Sequence, residues 1–342
     1  MEPKRITIRD IAEAAGVSTS LVSFVMNGKG KRYRVSEEMT RRILAMAREL
    51  NYRPNNAARS LRSGRSHTIG VVVSDISNSF FAEICRCIED DASRHGYTVI
   101  FGSSDERADK FRNLVDVLLS KGVDGLILVP CEGVERRIEE IHARGVPLVL
   151  LDRTVGTADV GRVLLDNRKA AALAVEHLAG AGCRRIELVS YSMRLSNLCE
   201  REQGYAAAME KLGLGNAVRI HRIDFHDVRR RSDMLMQQLF LRPDRGVEAL
   251  VFATNSLAAS ALKALGRYGI SVPRDVAVVA FDGNEVFDLY RVSVTSIRQP
   301  IRRIGREAVQ SLLRSIEQDS AAVGSTVVLD PELVAGESSR RL

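Results

Sequence analysis

Residues 6–28 read ITIRDIAEAAGVSTSLVSFVMNG, and this stretch decides what the first part of the chain is. Thr7 and Asp10 have the spacing of a capping box, which satisfies backbone N–H groups that a first helical turn leaves free. Behind them Ile8, Ile11, Ala12 and Ala15 recur at helical spacing as one apolar face, and Gly16 ends the helix. Ser18 can cap a second helix running to Met26. That helix turns Leu21, Val22 and Val25 inward and leaves Thr19, Ser20, Ser23 and Phe24 near or on its other face. Two short helices joined by a Gly-containing turn predict a helix-turn-helix. Such a unit lays its second helix in the DNA major groove, with the residues near that helix's start at the base edges. A loop, GKGKRYR at 28–34, comes next. Ser36 then caps a third helix with Ile43, Ala47 and Leu50 facing inward. A plain three-helix bundle would show the same periodicity, but the charge and the small polar residues of the second helix argue against it.

The charge is unevenly divided. Residues 1–66 carry 14 Lys+Arg against 6 Asp+Glu, a net +8, whereas the whole chain is +7. The basic character therefore sits in a small N-terminal unit joined to a near-neutral body, the electrostatic footprint of nucleic-acid binding. A length of 342 residues predicts two or three domains. The apolar runs are short, and none approaches the ~18–20 residues of a membrane span. The opening MEPKRITIRD has no apolar core of a secretory signal, so a cytoplasmic, nucleoid-associated protein without a membrane partner is expected. Five cysteines with no C-x-x-C pair read as reduced thiols rather than a disulfide framework.

Between the basic unit and the body lies NNAARSLRSG, residues 55–64. It has the marks of a helix of about two turns: Asn55 as cap, an apolar ladder of Ala57, Ala58 and Leu61, and Gly64 as stop. Isolated helices need roughly 12–15 residues to persist in water, and Arg59, Arg62 and Arg65 add self-repulsion. Something outside the segment must fold it.

From residue 67 onward short apolar runs alternate with helical stretches. The runs are 69–73, 98–101, 125–129, 148–151, 186–189, 250–252 and 276–280; the helices are 82–94, 113–120, 134–143, 204–212 and 257–265. Near-continuous apolar strands alternating with helices predict parallel sheets covered on both faces, with enough elements for two. Ligands of such sheets bind beyond the carboxyl ends of the strands. Polar and aromatic residues stand there: Asp75 and residues 78–81, Asp152 with Arg153, Arg201, Asn255, Asp282 and Gln299. Carboxylates, an arginine, amides and phenyl rings suit a sugar, whose hydroxyls take paired hydrogen bonds and whose ring stacks on aromatics. No G-x-S-x-G elbow, no phosphate-cradling G-x-x-x-x-G-K-[ST] and no G-x-G-x-x-G follows the first strand, so neither an enzyme, nor a catalytic residue, nor a cofactor is expected. HRIDFHD at 221–227 gathers two His and two Asp, but strand alternation separates them, and no metal site is expected.

The head, ITIRDIAEAAGVSTSLVSFVMNG with VSEEMTRRI and ELNYRPNNAARSL, resembles the lactose-repressor/galactose-repressor family. The likeness runs on through IGVVVSDISNSFF, GVDGLILVP, PLVLLDR, LLDN, REQGY, VAFDG and TSIRQP. It implies an all-α helix-turn-helix DNA-binding domain at 1–53, a hinge helix at 54–66, and an α/β effector-binding and dimerisation domain at 67–342. The last would be two periplasmic-binding-protein-like subdomains, 67–166 with 299–325 and 167–298 with 326–342. Chain crossings are expected near 166–167, 297–299 and 325. The expected DNA contacts are Thr7, Ser18, Thr19, Ser20, Ser23, Phe24, Asn27, Lys29, Arg34 and Tyr52 in the head, and Asn55, Ala58, Arg59, Leu61 and Arg62 in the hinge. In the family two hinge helices meet in the minor groove at the centre of a palindromic operator, where a leucine matching Leu61 wedges between base pairs. The effector positions matched by resemblance are Phe80, Phe81, Asp152, Arg201, Asn255, Asp282 and Gln299, beside Asp75 at the first strand's end.

The function so implied is a ligand-responsive transcriptional regulator, a repressor, that binds double-stranded operator DNA as a homodimer and takes a carbohydrate effector. A purine-like effector is the alternative within that class. A solute-binding protein of the same body fold is the alternative outside it, and would call for a signal peptide and no helix-turn-helix. Two departures bear on DNA sequence preference: Phe24 stands where relatives often carry a basic residue, and the loop 28–34 is longer than the usual turn. The chain closes on LVAGESSRRL without sustained leucine heptads, which predicts a dimer rather than a tetramer.

Overall fold

A computed structural model describes residues 6–52, 64–156, 158–241, 246–283, 287, 289–318 and 324–340. The chain divides into two compact units, Met1–Ser66 and His67–Leu342. The hinge positions Asn55, Ala58, Arg59, Leu61 and Arg62 lie outside the described residues.

The first unit holds α1 (Ile8–Ala15), α2 (Thr19–Met26) and α3 (Glu37–Glu49). The capping box forms: Thr7 Oγ1 accepts from the Asp10 N–H, and Thr7 N–H donates to Asp10 Oδ2 at 2.7 Å. Gly16 takes the left-handed conformation at φ 65°, which a side chain would oppose, and so turns the chain into α2. Ser18 and Ser36 cap α2 and α3, each hydroxyl accepting a backbone N–H at 3.2 Å. Ile11, Ala12, Ala15, Val22, Val25, Ile43 and Ala47 close into one small core, with Leu21, Leu50 and Tyr52 packed at its edge. Full burial of each large aliphatic among them contributes about 1.5–3 kcal/mol, which is what holds a unit of three short helices together.

The second unit contains two six-stranded sheets. The first runs β11-β5-β4-β3-β1-β2, built from β1 (Thr68–Val73), β2 (Thr98–Ser103), β3 (Gly125–Leu128), β4 (Leu148–Leu151), β5 (Gly161–Leu165) and β11 (Thr326–Leu329), all parallel. Alternation along the strands feeds two cores. Val71, Val73, Ile127, Val149 and Leu151 face α4 (Ser79–Arg94) and α11 (Ile301–Glu317), and Val72, Leu126, Leu128, Leu148 and Leu150 face α5 (Ala108–Ser120) and α6 (Glu135–Ala143). The second sheet runs β12-β10-β9-β8-β6-β7, from β6 (Ile186–Tyr191), β7 (Ile220–Ile223), β8 (Ala249–Phe252), β9 (Ala277–Phe281), β10 (Thr295–Arg298) and β12 (Glu332–Val334). Among the described strands of this sheet, only β12 is antiparallel to its neighbour. Its helices are α7 (Asn167–Gly180), α8 (Ser196–Lys211), α9 (Val228–Phe240) and α10 (Asn255–Arg267).

The chain crosses between the sheets after β5, after β10 and after β11. The third crossing therefore falls at Asp330 and Pro331, not near Ser325. Thr326–Leu329 stays with the first sheet because it pairs in parallel register with Arg162–Leu165, so the first subdomain runs through residue 329.

Candidate functional site

In the first unit the exposed side of α2 is defined by what its polar groups already do. Ser18 Oγ is occupied as the cap, and Thr7 is engaged with Asp10. Asn27 Nδ2 donates to the Ser23 carbonyl at 2.6 Å and to its hydroxyl at 3.3 Å, so those two predicted contacts are tied to one another. Thr19 and Ser20 are exposed at the start of the helix, as are Lys29 and Arg34 in the following loop. Phe24, half-buried, stacks face to face on Tyr33 of that loop. Tyr52 packs on the core edge instead of standing free.

In the second unit Asp152 and Asp282 occupy equivalent places in the two subdomains. Each directly follows a strand, β4 or β9, and each has a left-handed backbone, φ 67° and 60°. Each N–H bonds across to the neighbouring strand, Asp152 to the Val163 carbonyl and Asp282 to that of Ile297. Both side chains are buried. Non-glycine residues in this conformation are uncommon and cluster at functional positions, where the surrounding fold bears their strain.

Arg201 lies on α8, fully enclosed. Its Nε donates to Asn167 Oδ1 at 2.8 Å, its Nη1 donates to the Ala253 carbonyl, and its guanidinium sits 4.2 Å over the Phe281 ring. The REQGY sequence explains how it gets there. A Cβ on Gly204 would stand 2.7 Å from Arg168 Cα, so only glycine lets α8 lie against the start of α7, where Asn167 is. Tyr205, the next residue, anchors the helix by donating to the Ile186 carbonyl at 2.7 Å. Asp282 accepts from Gln299 Nε2 at 2.7 Å. Burial pushes its carboxyl up to about 6, against the pull of Arg201 and the Gln299 hydrogen bond, with Asp152 adding to the rise. Burial also lowers Arg201 below its ordinary value, opposed by Asp282 and Asp152.

A second group stands beside the first. Arg153 is clamped between Glu106 (2.7 Å) and Asp152 (3.2 Å), all three side chains at most 6% exposed. Burial works against the Arg153 charge, but the two carboxylates outweigh it and hold the guanidinium above its ordinary value. Asn197 Nδ2 donates to Asp152 at 2.9 Å. Asn78, the cap of α4, exchanges hydrogen bonds of 2.9 and 3.2 Å with Asn255 across the two subdomains. Together these enclose a cavity of about 60 Å³ lined in part by Asp75, Asn78, Phe81, Glu106, Arg153 and Asn197. Phe80 stands edge-on to Phe81 and braces it. Of the expected effector residues, Asp75 and Phe81 line this cavity. Asp152 is joined to it through Arg153 and Asn197, and Asn255 through Asn78. Arg201, Asp282 and Gln299 form a buried group linked by charge and by the Gln299–Asp282 hydrogen bond. Glu106 and Asn197, which were not among the expected contacts, also line the cavity. Two successive left-handed residues, Asp105 and Glu106, turn the Glu106 side chain inward, and no local pattern announces them.

The His and Asp residues of 221–227 remain apart: His221 pairs with Glu187, Asp224 caps its own turn and Asp227 pairs with Arg230. Among the described residues no three His, Cys, Asp or Glu converge on a metal-sized space, and no helix is long and apolar enough to cross a membrane.

Comparison with known proteins places this geometry. Residues 7–55 match the bacterial regulatory proteins of the lacI family, and residues 175–339 match a periplasmic binding protein-like domain. The ribose operon repressor of Halalkalibacterium halodurans is 34% identical over 91% of this chain and 91% of its own length. The chain belongs to the lacI family. Catabolite control protein A of Priestia megaterium is 32% identical over 98% of this chain and 99% of that protein. The lac repressor dimer, solved bound to operator and the anti-inducer ONPF, superposes with a TM-score of 0.85 at 25% identity, covering 98% of this chain and 99% of that one. As a member of the lacI family the protein is a ligand-responsive, DNA-binding transcriptional regulator and not an enzyme.

Proposed function

We propose that this regulator is a cytoplasmic, nucleoid-bound repressor. It binds a palindromic operator as a homodimer and senses a small neutral sugar in the cleft between its two α/β subdomains. The observation that carries the effector reading is the pair of left-handed, buried aspartates, Asp152 and Asp282, both acting by charge on the buried Arg201, beside a cavity that Phe81 lines. Buried carboxylates take hydroxyl protons in pairs, and the phenyl rings offer an apolar face for a sugar ring. Ribose is the first candidate, since a relative named for the ribose operon matches nearly the whole chain. Purine bases are the competing ligands to screen.

The mechanism is a population shift. The cavity is well below the ~300 Å³ at which small-molecule sites ordinarily begin. A sugar therefore enters by parting the Asn78–Asn255 and Asp152–Asn197 bonds and replacing them with its own hydroxyls. Two cleft states then differ in how the first subdomains of a dimer stand to each other, which sets whether two hinge segments pair on DNA. The head supplies Thr19, Ser20, Phe24, Lys29 and Arg34 to the major groove and its phosphates, and the hinge supplies Leu61 as a minor-groove wedge with Asn55, Ala58, Arg59 and Arg62 beside it. The domain limits 1–53, 54–66 and 67–342 follow that division of labour. A thermal-shift screen of pentoses, hexoses and purine bases, followed by calorimetry on the hit, tests the effector reading. A purine hit with no sugar response contradicts it.

A further inference from the structure

The DNA-reading helix presents an aromatic pair. The Phe24 and Tyr33 rings lie 3.7 Å apart, centroid to centroid, and 8° from parallel. The loop that carries Tyr33 is built onto the end of α2. Lys29 N–H donates to the Phe24 carbonyl at 2.8 Å, Tyr33 N–H to the Lys29 and Gly30 carbonyls, and Val35 N–H back to Gly30 at 3.0 Å. Gly30 is buried against Val25, Val35 and Thr40, which fixes the turn from below. The pair is therefore in place before DNA arrives, and holding it costs little ordering on binding.

At 3.6 residues per turn, Thr19, Ser20, Ser23, Phe24 and Asn27 fall on one side of α2, opposite the buried Val22 and Val25. Ser23 and Asn27 are spent on each other. Thr19 and Ser20 are short. The large groups left on this side are Phe24 and, stacked against it, Tyr33 at 48% exposure. Around them Lys29, Lys31, Arg32 and Arg34 are exposed, suited to phosphates on either side of the groove. A guanidinium would select guanine through two hydrogen bonds, which a phenyl ring cannot make. The base-edge feature that an apolar group distinguishes in the major groove is the thymine C5-methyl.

We propose that the Phe24–Tyr33 stack reads thymine, so that each operator half-site carries a T·A pair whose methyl group packs on this aromatic surface. The inference rests on the DNA-binding reading above. Burying one methyl-sized group is worth about fourfold in an equilibrium constant.

The test uses the full-length chain and a pool of duplexes with a randomised core. Sites are enriched by repeated selection, and the enriched duplex is then remade with deoxyuridine for each thymine in turn. The wild type is expected to lose about fourfold in affinity at one thymine in each half-site. Phe24→Ala and Tyr33→Ala are expected to bind the thymine and uracil duplexes equally at that position, and both are measured so that one misfolded variant does not decide the matter. A repeat selection with Phe24→Arg is expected to exchange that thymine for guanine. Failure to enrich any site overturns the DNA-binding reading itself. An enriched site that tolerates uracil throughout, or a uracil loss unchanged in both alanine variants, overturns the thymine assignment alone.

Discussion

Asp282 is the buried carboxyl whose raised pKa is expected to make effector binding depend on pH. Unfolded, its carboxyl titrates near the ordinary ~3.9; folded, burial holds it at about 6. Between those values the folded state keeps a proton that the unfolded chain has lost, so this group's stabilising contribution is full below pH ~4 and is lost as pH rises through about 6. Effector binding runs the other way. A sugar hydroxyl donates more strongly to the ionised carboxylate than to the neutral acid, so affinity is expected to fall below pH 6 by up to about tenfold per pH unit. Calorimetry between pH 5 and 8, in buffers of differing ionisation enthalpy, checks this through the proton released on binding; Asp282→Asn should bind weakly but without the pH slope. Arg201→Ala is expected to weaken the effector about tenfold or more, because a buried polar contact left without its partner costs ~1–3 kcal/mol. The strand-end places of Asp152 and Asp282 were legible in the sequence because each directly follows an apolar run. The inward placement of Glu106 was not, since it depends on a left-handed double turn that no local pattern announces, and the Asn197–Asp152 bond joins residues 45 positions apart.

At the scale of elements, α8 shows how a helix register sets the place of Arg201. Gly204 admits the α7 backbone, and this places Arg201, one turn earlier, beside Asn167. Gly204→Ala should push the helices apart at a cost of about 1–3 kcal/mol. It should also weaken the effector several-fold while leaving every cleft side chain unchanged; a thermal melt and a ligand titration on the one variant read both effects. A lower melting temperature with unaltered affinity would separate the register from the site. Most strands read from sequence were those buried on both faces, such as β1, β3, β4, β8 and β9, where apolar residues run without break; the edge strand β2, part-exposed, was read from the run 98–101 as well. The edge strand β11 alternates exposed and buried residues, and its membership of the first sheet depends on pairing with β5, about 165 positions back. Local pattern carries no record of that pairing, which is why the third crossing was expected some five residues too early. The caps at Thr7, Ser18 and Ser36 were legible because their signals are local.

Over the whole molecule the charge is divided as the work is. Residues 1–66 hold a net +8 against +7 for the full chain, so operator affinity should fall steeply with salt while effector affinity stays nearly flat. A fragment spanning residues 67–342, which forms a compact unit by itself, should keep the effector and lose DNA; filter binding and calorimetry at two salt concentrations measure both. The central claim is that cleft and operator are linked. Linkage is reciprocal: whatever factor the effector applies to operator affinity, the operator must apply to effector affinity. The deciding measurement is therefore a square of four dissociation constants on the full-length dimer, operator with and without saturating effector, and effector with and without operator. The account predicts a factor clearly different from one, of the order of 5–150-fold, and equal along both edges of the square. A factor of one along either edge, for a sugar that binds the cleft, would contradict it.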